Sequence, residues 1–475
     1  MKSLDELTAP KIDQGGPPGA GTFAYVDISS IDNQSKRIVE PKHIPADEAP
    51  SRAKQRLHTG DVLVSMTRPN LNAVALVSHE LNGAIGSTGF HVLRAAETVL
   101  PQWLYYGVQS QRFIKEMSAL VQGALYPAVR PKDIRGFQLP TPKLDEQRRI
   151  VAEIEKQFSR LDQAVASLQR VKAQLKRYKA SVLKAAVEGR LVETEAQRAR
   201  REGRGFETGA ELAAQGSANA AGGRKPGAAL HYETGEQLLK RILETRRSQW
   251  KGKGKYKEPA APETSGLPEL PEGWVWASLD ALSWHSSYGT SAKCSYAKGG
   301  VPVLRIPNVQ QGALDLSDLK FAPADHVLPE DETVSVGDML IIRTNGSRSL
   351  IGRAAVVTSQ SKRALSFASY LIRFRLIQVE SLPAWISIIW QEGRMRQWIE
   401  SRAATSAGQH NISQSVLALA TLPLPPLPEQ LRIVAEVDRR LSIVREVEAE
   451  VDANLKRAQT LRQAVLARAF TGTSS

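Results

Sequence analysis

At 475 residues, 42% of them hydrophobic, the chain has material for about three packed domains. Its one cysteine, Cys294, excludes an internal disulfide and a multi-cysteine zinc site, and no apolar run approaches the ~18 residues of a membrane span, so a cytoplasmic protein is expected. A net charge of +14 favours a polyanionic partner, because clustered Lys and Arg release counterions from phosphates, although basic residues that only solubilise a chain give the same balance.

The first module, residues 1–143, opens with short β-type runs at 61–66 and 73–78 between Gly, Asn and Pro turns, followed by a helical pattern at 101–120. Next, apolar residues recur at Ile150, Ile154, Phe158, Leu161, Val165, Leu168, Val171, Leu175, Tyr178 and Val182. Steps of three and four over this length predict one long helix, residues 144–191, packed along a seam against another helix. Asp145 and Glu146 suit its positive end, and Gly189 closes it. Residues 192–266 read as a flexible linker, charged at 194–204 and rich in Gly, Ala, Ser and Asn at 205–229, with a short helix near 235–250. Lys251, Lys253, Lys255 and Lys257 then lie in a basic, Pro-rich loop, either solvated or touching phosphate.

The second module, residues 267–427, repeats the order of the first, with β-type runs at 339–343 and 354–358 and a helical pattern at 383–402. A second long helix, residues 428–475, carries the stripe Ile433, Val437, Leu441, Val444, Val447, Val451, Leu455, Leu461 and Val465 and is closed by Gly472.

The two halves are copies. LPTPKLDEQRRIVAEI from Leu139 returns as LPLPPLPEQLRIVAEV from Leu422, identical at eleven of sixteen positions, and SVLKAAVEG from Ser181 is matched by AVLARAFTG from Ala464. Fainter matches join Ser3-Leu4-Asp5 to Ser278-Leu279-Asp280, Gly60-Asp61 to Gly337-Asp338, Thr67 to Thr344, and Pro101-x-Trp103 to Pro383-x-Trp385. The period is far too long for a solenoid. The expected fold is α+β, with two globular modules separated by two long helices that form an antiparallel coiled-coil spacer, under a pseudo-two-fold internal repeat. The stretch equivalent to residues 270–277 has no counterpart before Met1, so either the first module tolerates its loss or the start lies further upstream.

No phosphate-binding GxxxxGK[ST] loop, HExxH or CxxC is present, and the eight histidines lack ligand spacing. Residues 15–21 have no strand before them and read as a surface turn. Asp32 with Glu40 and Lys42 faintly resembles the acid-and-lysine set of metal-dependent nucleases, a spacing that any charged protein offers.

Two unlike modules, each followed by a long helix opening with LPxPxLxEQxRIVAEI, together with the linker block LLKRILETRRSQWKGKGKYKEP and the following LPELPEGWVWASLDAL, resemble the specificity subunit of type I restriction-modification systems over nearly the whole chain. The resemblance implies a non-catalytic protein that reads an asymmetric, bipartite double-stranded DNA target, one half-site per module, with the helix pair as a ruler. It also implies that two modification subunits supply the methyltransferase and S-adenosylmethionine and restriction subunits supply ATP- and Mg-dependent cleavage, with no cofactor or metal in this chain and no membrane contact. Glu146, Gln147, Arg149, Glu429, Gln430 and Arg432, taken as exposed and present in both copies, are candidates for docking those partners, or for capping and charge pairing at the helix start. The rival reading is a non-DNA scaffold of two modules on a coiled coil.

Base edges are read by Arg on guanine and Asn or Gln on adenine. That chemistry singles out Arg343, Thr344, Asn345 and Arg348 in one turn of the second module and Gln409, His410 and Asn411 in another, with Arg68, Asn70, Tyr126 and Arg130 in the aligned segments of the first. Turns chosen for Gly and Asn backbone preferences would look alike. Lys293 and Arg305 lack amide companions and are candidate phosphate clamps. Replacing Arg343 with Ala should cost one half-site's specificity, ~1–3 kcal/mol.

Overall fold

The computed structural model describes residues 1–121, 127–202, 232–250, 255–358, 363–377, 381–406 and 408–471. Two compact units emerge, Met1–Lys172 with Ala449–Ser475, and Ala173–Glu448. The architecture is α+β, and the two long helices are single elements, Leu144–Val187 of 44 residues and Leu427–Thr471 of 45. Each is roughly 65 Å long at 1.5 Å per residue.

In the first unit, a three-stranded antiparallel sheet runs in the order Phe90–Leu93, Val62–Ser65, Val74–Leu76. The second unit repeats that arrangement as Leu371–Leu376, Asp338–Ile342, Ala354–Val356, and adds Ser283–Tyr288 outside Leu371–Leu376. Val62–Ser65 and Asp338–Ile342 are buried at every position, which is why they read as unbroken apolar runs rather than alternating ones. Each is entered by the same turn. Gly60 and Gly337 take φ near +86, open to glycine without strain, and the next residue, Asp61 or Asp338, accepts the backbone N–H of His58 or Ser335, both at 2.8 Å. The same carboxylate then receives a two-pronged arginine, Arg94 on Asp61 and Arg375 on Asp338.

The helical patterns at 101–120 and 383–402 are each two helices rather than one. Pro101–Gly107 gives way to Gln111–Ala119 where the Ser110 hydroxyl accepts from Phe113 N and donates to Gly107 O. Leu382–Gln391 gives way to Gly393–Arg402 at Glu392, whose extended backbone and carboxylate cap the second helix.

Within the first unit the long helices run antiparallel, with Asp162 bound to Arg462 and Lys172 to Asp452, both at 2.6 Å. Within the second, Val182 and Leu183 share one core with Ile433, Val437 and Leu441. The buried row on the second long helix follows a heptad, Val437, Val444, Val451 and Ala458, whereas Val447 and Leu461, expected in the seam, are 38% and 48% exposed. Val171 and Tyr178 of the first stripe also face solvent. A pair of helices has one contact line, and residues to either side of it stay wet.

The charged run after Leu191 is structured where described. Glu195–Arg201 is a helix capped by Thr194 and Gln197, and Gly235–Ser248 is a second with the same capping box from Thr234 and Gln237. The Gly- and Ala-rich stretch 205–229, Lys251, Lys253 and Gly472 lie outside the described residues. Asp32 holds its own turn through Gln34 N and the Ser35 hydroxyl, and Lys42 binds Asp27, so two of the three nuclease-like residues are spent on local structure.

Candidate nucleic-acid interface

The two turns singled out in the second module meet. Thr344 pairs with Asn411 and Asn345 with His410, and Ala404–Ser406 adds a third strand beyond Gln409–Asn411. Neither segment could hold an extended edge alone; here the backbone of one satisfies the other. Arg343 N donates to Tyr370 O, and Ile412 N donates to Arg343 O, both at 2.9 Å. The Asn345 carboxamide oxygen accepts Ser347 N at 2.8 Å, and His410 Nδ1 lies 2.9 Å from the Thr405 hydroxyl.

The first module builds the same frame with different side chains. Met66 N donates to Gly89 O, Val129 N donates to Met66 O, and Thr67 bridges Ala128. Arg68 is exposed with φ +47, and its N–H donates to Pro127 O. Asn70 is exposed on the turn Pro69–Leu71, which is held from below by Lys36 Nζ on the carbonyls of Leu71 and Asn72. Tyr126 lies outside the described residues.

Other candidates are already engaged. Arg130 is exposed, but its guanidinium and N–H both bind Asp133 in a helix cap, and the paired carboxylate raises its pKa. Arg305, expected as a phosphate clamp, gives Nη2 to the carboxylate and carbonyl of Asp318, so it serves the loop rather than standing open to solvent. Arg348 is exposed with one Nη on Glu400 O. Lys293 is exposed, and nearby Tyr296, 63% exposed, carries Lys320 Nζ 5.0 Å from its ring.

Sequence reasoning missed Tyr288, whose ring lies 4.6 Å from the Arg343 guanidinium. An aromatic residue late in a strand gives no sign of which arginine it will face.

The shared residues at the starts of the long helices divide sharply, and the expectation of exposure fails for three of them. Gln147 and Gln430 are fully buried, their amides donating to the equivalent carbonyls of Pro142 and Pro425 at 2.8 Å, while the Gln147 oxygen also accepts Leu100 N. Glu429 is buried too, accepting Glu195 N at 2.9 Å and Trp274 Nε1 at 3.0 Å. Arg432 is turned onto Glu195 and the Glu193 carbonyl. Only Glu146 and Arg149 remain well exposed, paired loosely at 3.7 Å. These buried residues sit in the first helical turn, where unsatisfied backbone groups and the adjoining strand need polar side chains.

Burial pushes the Glu429 carboxyl up to about 7, against its two hydrogen bonds and Arg432, which favour the charged form. A carboxyl whose folded pKa is raised stabilises the fold below its unfolded value of 4.5, and that contribution is lost as pH rises through about 7. Thermal unfolding should therefore move to lower temperature between pH 5 and pH 8, and Glu429→Gln should flatten the change. An unchanged slope in the variant would assign the pH dependence to other groups.

No protein-family model matches the chain. Among curated proteins it is 23% identical over 423 residues to the type I restriction enzyme EcoKI specificity subunit of Escherichia coli (strain K12), covering 89% of this chain and 76% of that protein. It is likewise 23% identical, with the same coverage, to the StySPI specificity subunit of Salmonella potsdam. The curated proteins it resembles over most of its length are type I restriction enzyme specificity subunits. Their fold is also seen in a chain from a solved structure described as the structural basis of complex assembly and conformational transition of the type I R-M system, which superposes with TM-score 0.62 at 24% identity over 99% of this chain and 97% of that one. The repeated frame keeps threonine at Thr67 and Thr344 and differs around it, with Met66 against Arg343 and Ala128 against Asn411. Among the described residues no helix is long and apolar enough to cross a membrane, and no group of three or more His, Cys, Asp or Glu is placed to hold a metal.

Proposed function

We propose that the chain is the DNA-reading subunit of a type I restriction-modification complex, with residues 1–143 and 267–427 as target-recognition modules for the two halves of an asymmetric, split DNA sequence. The observation that carries the proposal is the frame built twice, Met66–Thr67 with Ala128–Val129 and Arg343–Thr344 with Asn411–Ile412, hydrogen-bonded alike and differing in side chain. Unlike readers on like frames give unlike half-sites. Arg68, Asn70, Thr344, Asn345, Gln409, His410 and Asn411 stand on or beside that frame, with Lys293 as a phosphate contact. The chain works on cytoplasmic DNA without catalysis of its own. Two modification subunits bring S-adenosylmethionine and restriction subunits bring ATP and Mg, docking on the exposed Glu146 and Arg149 among other positions.

Co-expression with the neighbouring modification subunit, followed by single-base mapping of N6-methyladenine, tests the reading. A split, asymmetric motif that appears only with this chain is expected. Absence of new methylation from an assembled complex that binds S-adenosylmethionine would overturn it and favour a scaffold.

A further inference from the structure

Four arginines around the second module's frame are committed to acceptors. Arg305 is on Asp318, Arg348 on Glu400 O, Arg375 on Asp338, and Arg396 on Glu400. Arg343 differs. No carboxylate among the described residues pairs with it, and its Nε, like that of Arg305, is buried without a hydrogen-bond partner. Both of its backbone groups are bonded, to Tyr370 and Ile412, so its Cα cannot wander. Its guanidinium is stacked 4.6 Å over Tyr288, a residue 41% exposed at the end of Ser283–Tyr288.

A stacked guanidinium is held flat and aimed while its N–H fork stays unspent. That is what bidentate recognition of guanine O6 and N7 requires, whereas a phosphate clamp needs only charge and reach. The equivalent position in the first module holds Met66, in the same pair of backbone bonds, with no donor to offer. We infer that Arg343 reads a guanine in the second module's half-site, that Tyr288 is the positioning residue that aims it, and that the first module has no guanidinium reader at its matching position.

The inference rests on the DNA-reading function, and the two are separable by experiment. Once the methylated motif is known, each guanine of the half-site is replaced in turn by 7-deazaguanine, which keeps base pairing but removes the N7 acceptor, and binding of the assembled methyltransferase complex is measured by fluorescence anisotropy. One guanine is expected to weaken wild-type binding about tenfold. The same substitution should leave Arg343→Ala unaffected, since its partner atom is already gone. Arg343→Lys should keep binding to unrelated DNA but shrink the 7-deazaguanine effect, because an ammonium offers N7 a point charge without the planar fork that stacks on Tyr288. Tyr288→Ala should shrink that effect and Tyr288→Phe restore it, a rescue that a merely structural role for the ring would not confine to one guanine. Equal weakening of target and unrelated DNA by Arg343→Ala would mean a phosphate contact and overturn the inference. So would a methylated motif in which no guanine couples to Arg343, leaving the function intact. Absence of any motif would overturn both.

Discussion

Trp385→Ala is expected to destabilise the second unit by about 3–5 kcal/mol, the cost of emptying a fully buried indole site. Trp385 is 0% exposed, lies edge-on to Trp274 with centroids 5.7 Å apart, and donates Nε1 to the Pro423 carbonyl at 2.8 Å. The first unit carries the same device, with Trp103 donating to Pro140 O at 2.9 Å and packed 4.6 Å from Phe470. In both, the tryptophan ties a helix of the module to the residues that lead into a long helix. Trp385→Phe should cost less, because most of the ring volume stays and chiefly the donor is lost, about 1–3 kcal/mol. Calorimetry on the full chain checks this. If phenylalanine proves as damaging as alanine, packing is not what the site supplies.

The tryptophan pair marks how far the sequence could be read. Pro101-x-Trp103 and Pro383-x-Trp385 stand out as a repeat because indoles are rare and their spacing is kept, and the long helices stand out because three-and-four periodicity persists for forty residues. The burial of Gln147, Glu429 and Gln430 was hidden because polar residues in a first helical turn ordinarily face water, and only tertiary contact tells a solvated amide from one tied to a proline carbonyl. Identity in both copies at an uncharged residue such as Gln was the available signal. The reading turns could be picked out by composition, but the pairing of Thr344 with Asn411 joins segments 67 residues apart and depends on the whole module closing. Helix 101–120 failed at Ser110, where a hydroxyl competes for the backbone more cheaply than the helix can continue.

Asp338→Ala is expected to cost about 3–5 kcal/mol, and more than Asp61→Ala at the matching position, because it strands more buried charge. Asp61 holds one arginine, Arg94, whose side chain is 26% exposed and can turn toward water. Asp338 holds Arg375, 21% exposed, and also faces Arg373, 3.9 Å away and 0% exposed, which stands where the first module has Val92. Burial lowers the Arg373 pKa, and the Asp338 carboxylate is the charge that most opposes that shift. The Arg373 guanidinium does reach the Thr333 carbonyl and His285 Nε2, the latter at 3.1 Å, but neither neutralises it. Adding Arg373→Val to Asp338→Ala should therefore recover part of the loss, while the same valine alone should leave Asp338 paired with Arg375 and cost less than the alanine. Hydrogen exchange of the Leu340–Ile342 amides reads the second unit's stability locally, and the Leu63–Ser65 amides do so for the first. Equal protection losses in Asp61→Ala and Asp338→Ala would show that Arg373 is already compensated by its carbonyl and histidine contacts, and that the extra buried charge is not what makes the second site fragile.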